Sequence, residues 1–135
     1  MADPNVRGCR DLEVYKLAHS LALKIHPMTL RLPHFEMIEE GSQIRRSSKS
    51  ASTQIVEGYR HRKYKDEFLH YLHRALGSAD ETREHLDYLH ETGSLKGDGS
   101  EYQYLASCSE KLVAKLNQFI IGVERNHTKP FYLRV

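Results

Sequence analysis

The chain has 135 residues, of which 39% are hydrophobic and 28% charged, and it contains no tryptophan. This length suits a single domain over 1–135 with one core, and no stretch approaches the roughly 20 apolar residues of a membrane span. The net charge is only +2, but residues 45–65 carry seven Lys or Arg and one acid. The net charge therefore excludes no class of partner, but the uneven distribution of charge points to an anionic partner for one surface.

The cysteines and the N-terminus indicate the compartment. Cys9 and Cys108 are far apart and have no ligand-like spacing, which is typical of reduced thiols in a cytoplasmic protein. Residues 1–6 contain neither a charged n-region nor an apolar run, so no secretory signal is predicted. We therefore expect a cytoplasmic protein.

Apolar residues recur at steps of three and four, which predicts helices in chain order. The first helix is predicted over 10–32, although Pro27 should kink or end it near His26. The second is predicted over 34–57, beginning after Pro33 and closed by Gly58 at its C-terminal cap. Its inner face carries small residues that should let a neighbouring helix approach closely, namely Gly41, Ser48, Ala51 and Ser52.

The third and fourth helices follow the same spacing. The third is predicted over 65–91, and a glycine-rich turn cluster at 93–99 separates it from a fourth helix over 99–125. The tail at 126–135 carries large apolar residues and should dock somewhere. With no strand candidate, the pattern predicts an all-α fold, an up-and-down antiparallel four-helix bundle. The expected seam residues are Val14, Ala18, Leu21, Ile25, Met28, Leu32, Ile38, Gly41, Ile44, Ser48, Ala51, Ile55, Phe68, Leu72, Ala75, Ala79, Thr82, Leu86, Leu89, Tyr102, Leu105, Leu112, Leu116, Phe119 and Val123.

Helices two and three should form a hairpin that turns near His61, which brings Arg45 level with Glu81. Arg45 lies at the edge of the apolar stripe, so the structural interpretation is a partly buried ion pair with Glu81, and the alternative is ligand binding. Gly77 should allow close helix approach, whereas Ser50 should point outward.

The segment after the second helix alternates cations with Tyr59 and Tyr64. Phosphate-neutralising cations beside stacking rings are typical of single-stranded nucleic-acid binding. The alternative is a solvated loop whose charges only maintain solubility. No base-reading motif is present, so binding to RNA or DNA should be driven by shape and charge. The candidate nucleic-acid-binding residues are Arg46, Lys49, Arg60, Arg62, Lys63 and Lys65.

An enzyme or a metal site is a weaker hypothesis. Glu67 and His70 copy half of a di-iron bundle motif, but the similar pair Asp87 and His90 lies on the same helix, about 30 Å away. There is no phosphate-binding glycine loop and no nucleophile elbow. The sequence therefore predicts no catalytic residue, no metal and no cofactor.

Four motifs follow one another along the chain, Asp11–Lys16, Gln43–Ser47, Ile55–Gly58 and Ala75–Ser78, the last followed by Glu81. Together they resemble the four-helix-bundle proteins encoded in intervening sequences of bacterial 23S ribosomal RNA genes. Gln54 and Val56 stand where that pattern has Asn and Ala. The family resembles the accessory variability determinants of diversity-generating retroelements, which form homopentameric barrels and are linked to nucleic acid and a reverse transcriptase. The resemblance implies a homo-oligomer, a pentamer, without enzymatic activity.

Apolar residues off the seams also favour a homo-oligomer, because they indicate a second buried face. Two functional hypotheses remain open, a nucleic-acid-binding module and a structural scaffold that recruits a protein partner such as a reverse transcriptase. The off-seam residues are Leu17, Leu23, Leu69, Tyr71, Tyr104, Val113 and Ile121.

Overall fold

The computed structural model describes residues 7–127, and every regular element in that range is helical. A 3-10 turn at Cys9–Asp11 leads into four long helices and one short helix. α3 packs on α1 and α4, and α5 packs on the same two helices, so α3 and α5 occupy opposite corners of a bundle. The predicted all-α bundle is confirmed. The helices are α1 (Glu13–Leu30), α2 (His34–Ile38), α3 (Glu40–Arg60), α4 (Lys65–Glu91) and α5 (Ser100–Asn126).

The core consists of the seam residues of the four long helices. Nearly all of the predicted seam is buried, from Val14 in α1 to Leu116 in α5. Tyr102, Phe119 and Val123 are half-buried at the edge of the core. Ile38 is the exception, since 55% of it is exposed.

The predicted second helix is divided in two, because the backbone breaks at Glu39 with φ −75° and ψ −91°. The break lets α2 fold back against the start of α3. A Cβ at Gly41 would lie 3.1 Å from the Glu36 carbonyl oxygen, so glycine permits this close contact. Ile38 is turned into solvent by the same break, which is why the seam prediction fails there.

Pro27 does not end α1, which continues as a helix to Leu30. Proline leaves the carbonyl four residues earlier, that of Leu23, without its helical donor. Both Pro27 and Leu23 are exposed, so water can reach that carbonyl.

Gly58 in α3 and Gly77 in α4 differ in how closely the neighbouring helix approaches them. α3 continues past Gly58 to Arg60, and a Cβ at Gly58 would lie 3.1 Å from the Cβ of Tyr71. Gly58 therefore serves close helix approach and is not the predicted cap. A Cβ at Gly77 would meet nothing within 4 Å, so the close approach predicted there is wrong.

The remaining boundaries agree closely with the sequence. α4 has the predicted bounds, and α5 is shifted by one residue at each end. Gly99, which precedes α5, has a φ of 89° that favours glycine. Docking was predicted for the tail at 126–135 because of its large apolar residues, and these fall within 128–135, outside the described range. Among the described helices, none is both long and apolar enough to cross a membrane.

Candidate nucleic-acid interface

The exposed outer face of α3 carries three of the predicted basic residues. Arg46, Lys49 and Arg60 are separated by three and eleven residues, spacings that return to nearly the same side of a helix. Arg46 and Arg60 are about 21 Å apart along the helix axis. Arg62 and Lys63 are exposed in the turn directly beyond Arg60. We call these five residues the basic stripe.

Lys65 lies apart from the basic stripe. It is half-buried at the start of α4, and its Nζ donates a hydrogen bond of 2.8 Å to the Glu124 carbonyl oxygen. That carbonyl lies near the C-terminus of α5, where a cation complements the helix dipole. The contact indicates a structural role for Lys65 between α4 and α5.

The turn between α3 and α4 is held by contacts of its own side chains and by His127, which follows α5. The Arg62 guanidinium lies over the Tyr59 ring at 4.2 Å from the centroid, and its Nη1 donates to the Tyr59 carbonyl at 3.0 Å. His127 Nε2 lies 2.6 Å from the Arg62 carbonyl oxygen. Tyr64 exposes 41% of its surface. Of the two predicted stacking rings, Tyr59 is thus already stacked on an arginine.

Arg45 does not form the predicted ion pair with Glu81. Its Nη1 donates to Thr29 Oγ1 at 2.8 Å, and its Nη2 donates to the Met37 carbonyl at 3.2 Å. The reason is direction, because Arg45 leaves α3 on the side of α1 whereas Glu81 lies on α4. Arg45 thus joins α1, α2 and α3. It has a structural role, as the sequence suggested, but its partners are Thr29 and Met37 and not Glu81.

A polar groove runs between α3 and α4 with a volume of about 410 Å³. Two contacts between helices lie along it, Ser50 Oγ to Ser78 Oγ and Ser47 Oγ to Thr82 Oγ1, both at 2.9 Å. Ser50 is therefore half-buried, and the predicted outward orientation is wrong. The groove, hereafter the α3–α4 groove, is lined by Gln43, Arg46, Ser47, Ser50, Gln54, Arg74, Gly77, Ser78 and Glu81.

The charged groups of the α3–α4 groove form no ion pair with any residue that the structure describes. Arg46, Arg74 and Glu81 are exposed, and none of them forms an ion pair within residues 7–127. Gln54 Oε1 is buried and has no hydrogen-bond partner in the described part of the chain. The two cations and the carboxylate are therefore open to a ligand, whereas the Gln54 oxygen is closed to solvent.

Sequence reasoning missed this groove as a site. Arg74, Gln43 and Gln54 were not among the candidate residues, although Gln43 and Glu81 belong to motifs that carry the family resemblance. The sequence did contain a signal, because the motifs of Gln43 and Glu81 lie on adjacent helices and are rich in polar and small residues. Whether their side chains face one groove depends on how each helix is rotated about its axis, and residue spacing does not give that rotation.

A second groove of about 580 Å³ runs along the opposite side of α3, next to α1. Its character is more apolar, with Leu23 63% exposed and Val56 43% exposed. Lys49 of the basic stripe reaches its edge. The lining residues are Arg10, Tyr15, His19, Ala22, Leu23, His26, Lys49, Ser52, Thr53 and Val56.

Only part of the predicted second apolar face is exposed. Leu23, Tyr104 and Ile121 are 63%, 53% and 46% exposed, which fits a further contact surface. The other off-seam residues are partly buried by the chain's own packing. These are Leu17, Leu69, Tyr71 and Val113.

Metal-ligating side chains are dispersed. Between residues 7 and 127, no three His, Cys, Asp or Glu side chains come together as a metal site. Glu67 and His70 are both exposed on α4.

Cys9 and Cys108 are free and half-buried, and burial raises the pKa of the Cys9 thiol.

Comparisons with known proteins agree with this architecture. The family model described as 23S rRNA-intervening sequence protein matches residues 10–118. A protein of unknown function from the S23 ribosomal protein family of Bacteroides thetaiotaomicron has a similar crystal structure, with a TM-score of 0.67 and 23% identity over 79% of this chain and 97% of that one. At this identity the likeness shows a shared fold. A search of curated proteins found no match.

Proposed function

The chain belongs to the 23S rRNA-intervening sequence protein family, and from this premise we propose that it is a non-enzymatic homo-oligomer that binds single-stranded RNA or DNA through the basic stripe. One observation carries the proposal. Arg46, Lys49 and Arg60 share one exposed face of α3, and no described residue forms an ion pair with any of them. Phosphates can bind these cations without first breaking a protein salt bridge.

The arrangement favours a charge-driven contact. Each phosphate neutralised on a single strand releases counterions, so log K falls with log salt at a slope of about −0.7 per phosphate. Because no base-reading motif was found in the sequence, the affinity of the stripe should depend weakly on base sequence. Repetition of the stripe around an oligomer would let several subunits hold one strand.

The test compares matched charge removals. Lys49→Gln with Arg60→Gln removes two cations from the basic stripe. The control, Lys96→Gln with Lys111→Gln, makes the same change in net charge at exposed sites on the 93–99 loop and on α5, away from α3. Binding to a single-stranded oligonucleotide should weaken in the first variant, and its salt slope should flatten by about 1.4. The control should bind like the parent.

Two outcomes would contradict the proposal. Equal loss of affinity in both double variants would show that net charge and not the stripe binds the strand. No detectable binding by the parent at low salt would remove the function altogether. Thermal melts of all three proteins establish that they are equally folded.

The homo-oligomer has its own test. The exposed Leu23, Tyr104 and Ile121 support a subunit interface, and the resemblance implies a pentamer. Mass measurement in solution should show a species larger than the 15.7 kDa chain. A single 15.7 kDa species at micromolar concentration would contradict it.

A scaffold that recruits a protein partner is the second candidate, and the more apolar groove between α1 and α3 favours it. Its apolar lining beside Lys49 resembles the mixed surface that receives a protein segment. A partner such as a reverse transcriptase would then remain bound in a pull-down after nuclease treatment. Loss of the partner on nuclease treatment would favour the nucleic-acid function.

A further inference from the structure

The α3–α4 groove adjoins the basic stripe through Arg46. This side chain belongs to the stripe and also lines the groove, so a strand that follows the stripe passes the mouth of the groove. The groove volume of about 410 Å³ lies within the usual range of small-molecule pockets, about 300–1,000 Å³.

The charges of the groove call for a ligand with two kinds of group. Arg46 from α3 and Arg74 from α4 donate hydrogen bonds, whereas the Glu81 carboxylate accepts them. Because no described residue pairs with any of these three, a purely anionic ligand would satisfy the arginines and leave Glu81 unpaired. A suitable ligand has an acceptor or anionic part and a donor part.

The buried amide oxygen points to the same requirement. Gln54 Oε1 is buried without a donor among the described residues, and an unpaired buried acceptor destabilises the folded chain. A ligand with donors can pair with the exposed Glu81 carboxylate, and it reaches the buried Gln54 oxygen only if that side chain turns into the groove. Gln43 adds a further amide, which can donate and accept.

Among nucleic-acid bases, guanine best matches these groups. Its Watson–Crick edge places N1–H beside the N2 amine, two donors that a carboxylate can accept together. Its O6 and N7 are acceptors that an arginine binds in bidentate fashion. Uracil offers only one donor, and cytosine and adenine offer a single amino group.

We infer that the α3–α4 groove holds one unpaired nucleotide of the bound strand and prefers guanine. Glu81 accepts the hydrogen bonds of the guanine donors, and Arg46 and Arg74 bind its acceptors or the adjoining phosphate. This inference rests on the proposed function and adds base preference to it. A lone protein arginine in the groove would satisfy Glu81 but repel both guanidinium groups, so a nucleotide fits the charges better.

The experiment compares short single strands of equal length, one made of uridine and one with isolated guanosines. The parent should bind the guanosine strand at least about fivefold more tightly. Replacing each guanosine with inosine removes the N2 amine and should abolish most of that preference. Glu81→Gln should also remove the preference without weakening binding to the uridine strand.

Glu84→Gln is the matched control. It removes the same charge from α4, and Glu84 is exposed and outside the groove lining. This variant should keep the full preference for guanosine. Thermal melts verify that both variants fold.

Titration with guanosine monophosphate tests the groove without a strand bound along the stripe. The side-chain amide signals of Gln43 and Gln54 should shift in NMR spectra, and cytidine monophosphate should cause smaller shifts. Equal binding of the uridine and guanosine strands would overturn the inference and leave the proposed function intact. If the protein bound no strand but guanosine monophosphate still shifted the Gln54 signal, the proposed function of the stripe would be overturned. The groove would then remain as a nucleotide site. A protein partner lost in the Glu81 variant but retained in the Glu84 variant would replace the nucleotide with a protein ligand.

Discussion

Arg45 and Arg46 are neighbours in the chain, and their guanidinium groups lie in different environments on α3. Arg45 is half-buried between α1 and α2, where Thr29 and Met37 accept its hydrogen bonds. Arg46 is exposed beside α4 and has no ion-pair partner among residues 7–127. The direction in which a helix residue points thus decides whether an arginine stabilises the fold or is available to a ligand.

The same contrast recurs on α4. Arg83 binds Asp87 at 2.9 Å and Glu110 at 2.8 Å, which ties α4 to α5 and raises the pKa of Arg83. Arg74, on the side of α3, forms no such pair with the described residues. On both helices, one arginine is used by the bundle and another lines the α3–α4 groove.

The largest effect is expected at the closely packed inner side of α3. Ala51 is 1% exposed, so Ala51→Leu should overpack the core and lower the free energy of unfolding by about 1–3 kcal/mol. Thr53→Leu, on the exposed side of the same helix, should change it by less than about 0.5 kcal/mol. Urea denaturation measures both. Equal midpoints would mean that the inner and outer sides of α3 are wrongly assigned.

A smaller effect is expected from the two neighbouring arginines. Arg45→Gln removes charge-assisted hydrogen bonds to Thr29 and Met37 and should cost roughly 1–2 kcal/mol of stability. Arg46→Gln should leave stability within about 0.5 kcal/mol of the parent but weaken strand binding. Denaturant melts and binding assays on the same two proteins separate these roles. If Arg46→Gln were the more destabilising change, the contrast would be reversed.

The smallest effect concerns acid stability at the contact between α4 and α5. Burial alone would raise the pKa of Asp87, but hydrogen bonds from Tyr102 and Arg83 outweigh it and lower this pKa from its ordinary 3.8. A carboxyl group with a lowered folded-state pKa gives stability that is complete above the ordinary value and is lost as the pH falls through the lowered one.

Asp87→Asn should therefore lower stability at neutral pH and flatten its fall below about pH 4. The difference should be less than about 1 kcal/mol, because the cluster is partly exposed. Asp80→Asn, an exposed change on the same helix, is the control. Identical acid titrations of stability in the parent and the Asp87 variant would contradict the assignment.

Helix spacing was sufficient to predict the bundle and most of its core, because a periodic apolar stripe can be buried in few ways. It could not predict the break at Glu39, which depends on contacts of Gly41 and Arg45 with residues of α2. It also placed Arg45 beside Glu81, since a hairpin register gives the level of a residue along the helix but not the side on which it leaves.

Of the candidate site, only the exposed basic residues of α3 were predicted from the sequence. The exposed charges of Arg46, Lys49 and Arg60 follow from helix periodicity, whereas the structural contact of Lys65 depends on where α5 ends. The α3–α4 groove depends on the distance between two helices, which Gly77 was expected to shorten. A glycine permits close approach but does not require it.

The contact of Lys65 with the end of α5 has a consequence for hydrogen exchange. The last turn of a helix usually frays at little free-energy cost, so its amides exchange early. Here the Glu124 carbonyl is bound by Lys65, and His127 reaches the Arg62 carbonyl. Opening of this end of α5 should therefore be coupled to opening of the start of α4 and of the turn before it, and their amides should exchange together as one cooperative unit.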